Sequence, residues 1–203
     1  CAMNTSPETI RQIDAVFQEA LADGRTALFE FEVFAILRCL GLPAPEFVFV
    51  TDPAAVDDGL LARFGPEIVL KVVSPEIAHK QKLGGVRILR HHDPLFIQYA
   101  MERMRQEILA GFPAGRQPAI RGFLLEEFVP HTQALGYESL IGIKEDPAFG
   151  PVLTLSKGGD DAEFFARYFD PANLFLPPLD IEYARRMLDG LHIKHKYEQI
   201  GHP

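Results

Sequence analysis

Between Val69 and Ile88 the chain brings together three lysines, a histidine and a glycine pair: Lys71 inside Val69-Leu70-Lys71-Val72-Val73, then His79-Lys80-Gln81-Lys82-Leu83-Gly84-Gly85-Val86. Apolar runs on both sides predict two strands holding a cationic, flexible loop. Positive charge next to glycines, whose backbone a ligand can approach closely, suits the binding of phosphate. A second segment, Leu124-Leu125-Glu126-Glu127-Phe128-Val129-Pro130, puts an acid pair and two apolar residues at the end of an apolar run. Other clusters carry less chemistry. His91-His92, and His192 with His195, read as solvated surface, because a metal site needs three or four convergent ligands. Gly158-Gly159 alone reads as a turn.

These residues need elements to position them. Ser6 as N-cap and Pro7 at the first helical position open an amphipathic helix through Ile10, Ile13, Phe17 and Leu21 that stops at Gly24. Thr26 opens a more apolar helix ending at Gly41. Strands are predicted at Phe47–Val50 and 68–73, with a helix from Asp52-Pro53 to about Phe64 between them, which reads as a βαβ-like unit. A short strand at 86–89 and a helix from Asp93-Pro94 to Gly111 follow. Strands at 120–128, 137–143 and 152–155 are joined by turns rich in Gly, Pro and Asp, and a last helix runs from Asp180 to Gly190. The pattern is α+β, with antiparallel character in the second half.

Composition bounds the function. The 203 residues are nearly half apolar, enough for one large domain or two lobes. A net charge of -8 without a basic stripe argues against nucleic acid as a partner. No apolar run approaches the ~20 residues of a membrane span, so no membrane partner is expected. Cys1 and Cys39 provide neither a disulfide framework nor a thiol metal site, which favours a reducing, cytoplasmic setting. Cys1 and Ala2 precede Met3 and read as a leftover of cloning, with residues 1–5 a disordered start.

The run 69–86, the segment 124–130, Gly136-Tyr137-Glu138-Ser139-Leu140-Ile141-Gly142-Ile143-Lys144, Asp146-Pro147, Phe149-Gly150-Pro151-Val152, Gly158-Gly159 and Leu176-Pro177-Pro178-Leu179 occur in an order and spacing that resemble one family over roughly 26–191. It is the ATP-grasp domain of the NDP-forming acyl-CoA ligases. This domain is found in the beta part of ADP-forming acetate-CoA ligases and in related acetyltransferases, and it is related to succinyl-CoA ligase. The resemblance implies an ATP-grasp fold of two α+β lobes gripping ATP or ADP. Residues 6–118 would form a helical lead-in and first lobe, and 119–203 part of a second, apparently truncated lobe. Lys71, Lys80, Gly84 and Gly85 would face the phosphates. Glu126, Glu127, Phe128 and Val129 would form the hinge, whose backbone groups hydrogen-bond the adenine edge while Phe128 and Val129 give apolar contact, and Glu138 would contact ribose or the metal side. His79 would be a phosphohistidine relay, since imidazole is nucleophilic while neutral and Lys80 and Lys82 can balance a phosphorylated ring.

Two departures qualify this picture. Gln81-Lys82 stands where the family usually has Ser-Asp, and Asp160-Asp161 follows the second glycine pair where apolar residues are usual. The segments that supply Mg²⁺ ligands in the full-length family do not occur before Pro203, so no metal ligands are assigned here. The expectation is a piece of a longer ligase, or a shortened relative, that is inactive alone. It would work with a CoA-binding and ligase domain or subunit. The alternative is a nucleotide-sensing or assembly module that has kept the fold and lost the chemistry.

Overall fold

The computed structural model describes residues 5–77, 79–90, 92–131, 138–158 and 174–191. They divide into two units, one comprising Asn4–Pro130 and the other beginning at His131. Gly136, Tyr137, His91, Gly159, Asp160, Asp161, His192 and His195 lie outside the described residues. Among the described residues there are five α-helices and two antiparallel sheets. None of those helices is long and apolar enough to cross a membrane.

The first unit is a four-stranded sheet between helices. Its strands are β1 (Phe47–Val50), β2 (Ile68–Val73), β3 (Val86–Leu89) and β4 (Gly122–Glu127), in the order β1-β4-β2-β3. Because β4 lies between β1 and β2 and is antiparallel to both, the expected βαβ unit is split. β4 is hydrogen-bonded into the first sheet, and this unit runs on to Pro130.

One sheet face carries Val50, Ile68, Leu70, Val72, Phe123 and Leu125, all buried. Against it packs α4 (Pro94–Ala110), whose Ile97, Met101, Met104 and Ile108 repeat at helical spacing and are essentially without exposure. Its start is fixed by Asp93, whose carboxylate accepts the Leu95 and Phe96 amides, with Pro94 at the first position. The opposite face carries Phe47, Phe49, Val69, Lys71 and Glu126, and α2 (Glu30–Cys39) covers part of it. There Phe31 stacks on Phe49 at 4.4 Å and Phe34 meets Phe47 at 5.4 Å.

Two helix boundaries differ from expectation, and each has a side-chain cause. The α2 helix starts at Glu30 rather than near Thr26. The Arg25 guanidinium clasps the Glu32 carboxylate at 2.6 and 2.8 Å and lies over the Phe29 ring, while Glu32 accepts the Phe29 amide at 2.6 Å. These bonds hold the approach to the helix in a non-helical shape. The helix expected from Asp52-Pro53 to Phe64 is two pieces, a 3₁₀ turn at Pro53–Ala55 and the short α3 (Asp58–Leu61). Asp57 accepts the Leu60 amide at 2.7 Å and so caps a new start, while Val56 between the pieces is buried in the core. The first helix, α1 (Pro7–Ala22), forms as read, with Ser6 accepting the Thr9 amide.

The second unit holds β5 (Ser139–Asp146), β6 (Gly150–Lys157), β7 (Leu174–Phe175) and α5 (Ile181–Asp189), with sheet order β5-β6-β7. Asp146 accepts the Ala148 and Phe149 amides, and Gly150 takes a φ of 71°, which closes a tight hairpin in register from Asp146↔Gly150 to Ser139↔Lys157. Both strands are longer than the sequence pattern indicated, because cross-strand pairing carries them past the ends of their apolar runs.

Candidate functional site

In β2 every residue is buried except Lys71, which is half-buried. In the sheet register Lys71 lies opposite Leu124 and Val69 opposite Glu126, so Lys71 and Glu126 are diagonal neighbours on one face. The Lys71 ammonium is 2.6 Å from a Glu126 carboxylate oxygen and 2.6 Å from Glu30 Oε1, Glu30 being the first residue of α2. The other Glu30 oxygen is 3.7 Å from Lys80 Nζ. Four charged side chains from α2, β2, β4 and the loop after β2 therefore meet in one cluster. Three of them, Lys71, Lys80 and Glu126, were legible as site residues. Glu30 was missed, and its only sequence signal is an acid at a helix start.

The electrostatics follow from the burial. Removal from water would lower the lysine, but its ion pairs with Glu126 and Glu30 outweigh it and hold Lys71 above the ordinary lysine range. For Glu126 burial dominates and pushes the carboxyl up, and the Lys71 ammonium reverses this only in part.

The glycine loop is more closed than a phosphate cradle requires. The Gly85 amide donates to the Lys80 carbonyl at 2.8 Å, the Gly84 amide to Gln81 at 3.1 Å, and the Gly85 carbonyl accepts the Val72 amide at 2.9 Å. A Cβ at Gly85 would lie 2.6 Å from Val72 Cγ1 and 3.0 Å from the Lys80 oxygen, so this glycine is required by packing against β2. Gly84 is needed for its left-handed φ of 69°. His79 is exposed at the head of this loop, after buried Ile77.

At the far end of β4 the backbone is also engaged. The Glu127 amide donates to the Glu46 carbonyl at 2.8 Å and the Phe128 amide to Glu67 at 3.3 Å, while the Glu127 carboxylate accepts the Glu46 amide. These bonds extend β4 towards both neighbouring strands. Val129 is exposed and Phe128 half-buried. Glu138 stands in the second unit, exposed, with its carbonyl accepting the Gly158 amide at 2.8 Å. That unit also has a concavity of about 190 Å³ walled by Ile141, Leu153, Phe175, Leu188 and further apolar side chains. Among the described residues its walls offer no polar group to orient a nucleotide.

Among the described residues no three His, Cys, Asp or Glu side chains converge as a metal site requires. The charge cluster does fit a phosphate-bearing ligand, since two ammonium groups share a single carboxylate that such a ligand can replace.

Comparison with known proteins gives the family of the chain. Residues 19–202 match the family model described as the ATP-grasp domain. The beta subunit of acetate–CoA ligase [ADP-forming] I from Pyrococcus furiosus is 29% identical over 174 residues, which is 85% of this chain and 68% of that one. The 4-hydroxybutyrate–CoA ligase [ADP-forming] of Nitrosopumilus maritimus is 28% identical over 144 residues, 71% of this chain but only 19% of its own length. Among solved structures, a dinucleotide-forming acetyl-coenzyme A synthetase of Ca. Korarchaeum cryptofilum, in complex with coenzyme A and Ca-AMPCP, aligns with a TM-score of 0.73 at 25% identity. That alignment covers 93% of this chain and 76% of that one.

Proposed function

The chain belongs to the ATP-grasp family, and from that premise we propose that it is the nucleotide-binding portion of an ADP-forming acyl-CoA ligase. It is homologous to the beta subunits of such ligases. The observation that carries the reading is the Lys71 ammonium, set in an otherwise buried strand and joined through Glu30 to Lys80. In this role Lys71 and Lys80 hold the phosphates of ATP or ADP, and the end of β4 from Glu126 to Val129 lies along the base. Glu138 takes part from the ribose or metal side.

His79 is exposed and carries the relay: an imidazole nitrogen attacks the terminal phosphorus of ATP, the bond to the bridging oxygen breaks, and ADP leaves. A carboxylate oxygen of the acyl substrate then takes the phosphoryl group from the histidine, giving an acyl phosphate. The thiol of coenzyme A displaces phosphate from it. The parts that bind coenzyme A and the acyl group belong to a further domain or subunit, and the setting is cytoplasmic. Mg²⁺ accompanies the nucleotide and would supply charge neutralisation on the phosphates.

Two observations favour a second reading, a nucleotide-sensing or assembly module. The loop amides of Gly84 and Gly85 are already bonded within the loop, and Gln81-Lys82 departs from the family pattern. Calorimetric titration of ATP and ADP, with and without Mg²⁺, into this chain and into Lys71→Ala tests the shared premise. Binding by the wild type that Lys71→Ala removes is expected. No binding by either protein, or equal binding by both, refutes a nucleotide site at Lys71.

A further inference from the structure

Glu30 reaches two of the site's cations from outside any motif. Its Oε1 is 2.6 Å from Lys71 Nζ and its Oε2 is 3.7 Å from Lys80 Nζ. A carboxylate with one oxygen towards each of two ammonium groups occupies them as two phosphate oxygens would. We propose that Glu30 is a place-holder counter-ion, displaced from Lys71 and Lys80 by a nucleotide polyphosphate, while Glu126 remains the fixed partner of Lys71. The inference rests on the nucleotide-binding reading above and names the residue that sets the affinity of that site for phosphate.

Three features separate the two acids. The Glu126 side chain is 12% exposed and grows from β4 between two strands, so its carboxylate has little water to turn into. The Glu30 side chain is 33% exposed and can turn to water. Glu30 also stands in the first turn of α2, where the partial positive charge of the helix end still favours a carboxylate after its release. Exchange therefore does not strand a charge.

Charge accounting gives the consequence. Lys71 and Lys80 against Glu30 and Glu126 sum to zero, so the cluster is electrically closed without ligand. Glu30 is tethered and acts at high effective concentration, so a singly charged anion competes poorly, whereas a polyphosphate engages both lysines at once. Glu30 thus selects for polyphosphate by raising the threshold for any anion.

The test is calorimetry on the 203-residue chain with ADP, inorganic pyrophosphate and adenosine. Glu30→Gln removes the competing charge and is expected to bind ADP and pyrophosphate about three- to tenfold tighter, the scale of one nearby charge in a partly solvated site. Its adenosine affinity is expected to stay unchanged, which also reports an intact fold. Glu30→Asp keeps the charge and tightens ADP less than Glu30→Gln. Failure of Glu30→Gln to tighten ADP, a parallel change or loss of adenosine binding, or equal tightening by both variants overturns the place-holder role. If wild type binds ADP and Lys71→Met abolishes this, yet Glu30→Gln has no effect, only the place-holder fails. If wild type binds no ADP, or binds it independently of Lys71, the nucleotide reading falls and takes this inference with it.

Discussion

Replacing Lys71 by methionine keeps an unbranched stem and deletes the ammonium that Glu126 and Glu30 share at 2.6 Å. Glu30 keeps Lys80 and water, but Glu126, with a side chain 12% exposed, is left buried as an unpaired charge. Breaking a fully buried pair in this way costs about 3–5 kcal/mol, and the residual exposure of both groups brings the expected loss to about 2–4 kcal/mol near neutral pH.

The loss should depend on pH with a defined sign. Burial already holds Glu126 above the ordinary carboxylate value, and without Lys71 it rises further. A carboxyl raised on folding contributes its full stability below its unfolded pKa and loses it as pH climbs through the folded one. The penalty of Lys71→Met is therefore small at about pH 4 and grows towards about pH 8. Lys71 in the wild type is itself raised, so its contribution persists across this window and is lost only as pH rises through its raised value. The chain has no tryptophan, so urea unfolding followed by far-UV circular dichroism is the suitable assay. Lys71→Met/Glu126→Gln removes the stranded charge and should recover at least about 1 kcal/mol over the single variant near pH 8. A penalty flat with pH, or a double variant no more stable than the single one, would refute this account of the cluster.

Other perturbations separate packing from chemistry. Gly85→Ala forces a Cβ to 2.6 Å from Val72 Cγ1 and should cost about 1–3 kcal/mol by the same unfolding assay. Gly84→Ala meets no atom within 4 Å, so only the left-handed backbone is strained, at about 1 kcal/mol. Met101→Ala opens a cavity between α4 and the sheet, where the side chain has no exposure, and should cost about 2–5 kcal/mol. His79→Asn should leave stability within about 0.5 kcal/mol, because the residue is exposed, yet remove acid-labile phosphoryl label in the complete ligase. Retained label would exclude His79 as the relay.

Short-range features could be read from sequence because their causes are short-range. Ser6, Asp52, Asp93 and Asp180 each accept an amide two or three residues on, and each was read as standing at the start of a helix. The strands at Phe47–Val50, 68–73 and 86–89 follow from their apolar runs. What failed depends on distant chain. The insertion of β4 between β1 and β2 is set by pairs such as Phe47↔Glu126, which no local pattern records. The late start of α2 depends on an Arg25 clasp whose geometry becomes visible only when the turn is folded.

The site divides the same way. Residue types around Lys71 revealed a cationic locus, but its state is decided by Glu30, 41 residues earlier, and by Glu126 on a neighbouring strand. A lone lysine in a buried strand would be costly, so the fold must neutralise it, and the acids that do so also compete with any phosphate. The arrangement resolves this conflict by unequal burial, with Glu126 fixed in the sheet and Glu30 free to turn outward. Stability of the empty protein and affinity for polyphosphate are therefore coupled through one carboxylate. Deleting Glu30 should loosen α2 from β2 while strengthening phosphate binding, whereas deleting Glu126 should weaken both, because Lys71 then loses the partner that keeps it charged and in place.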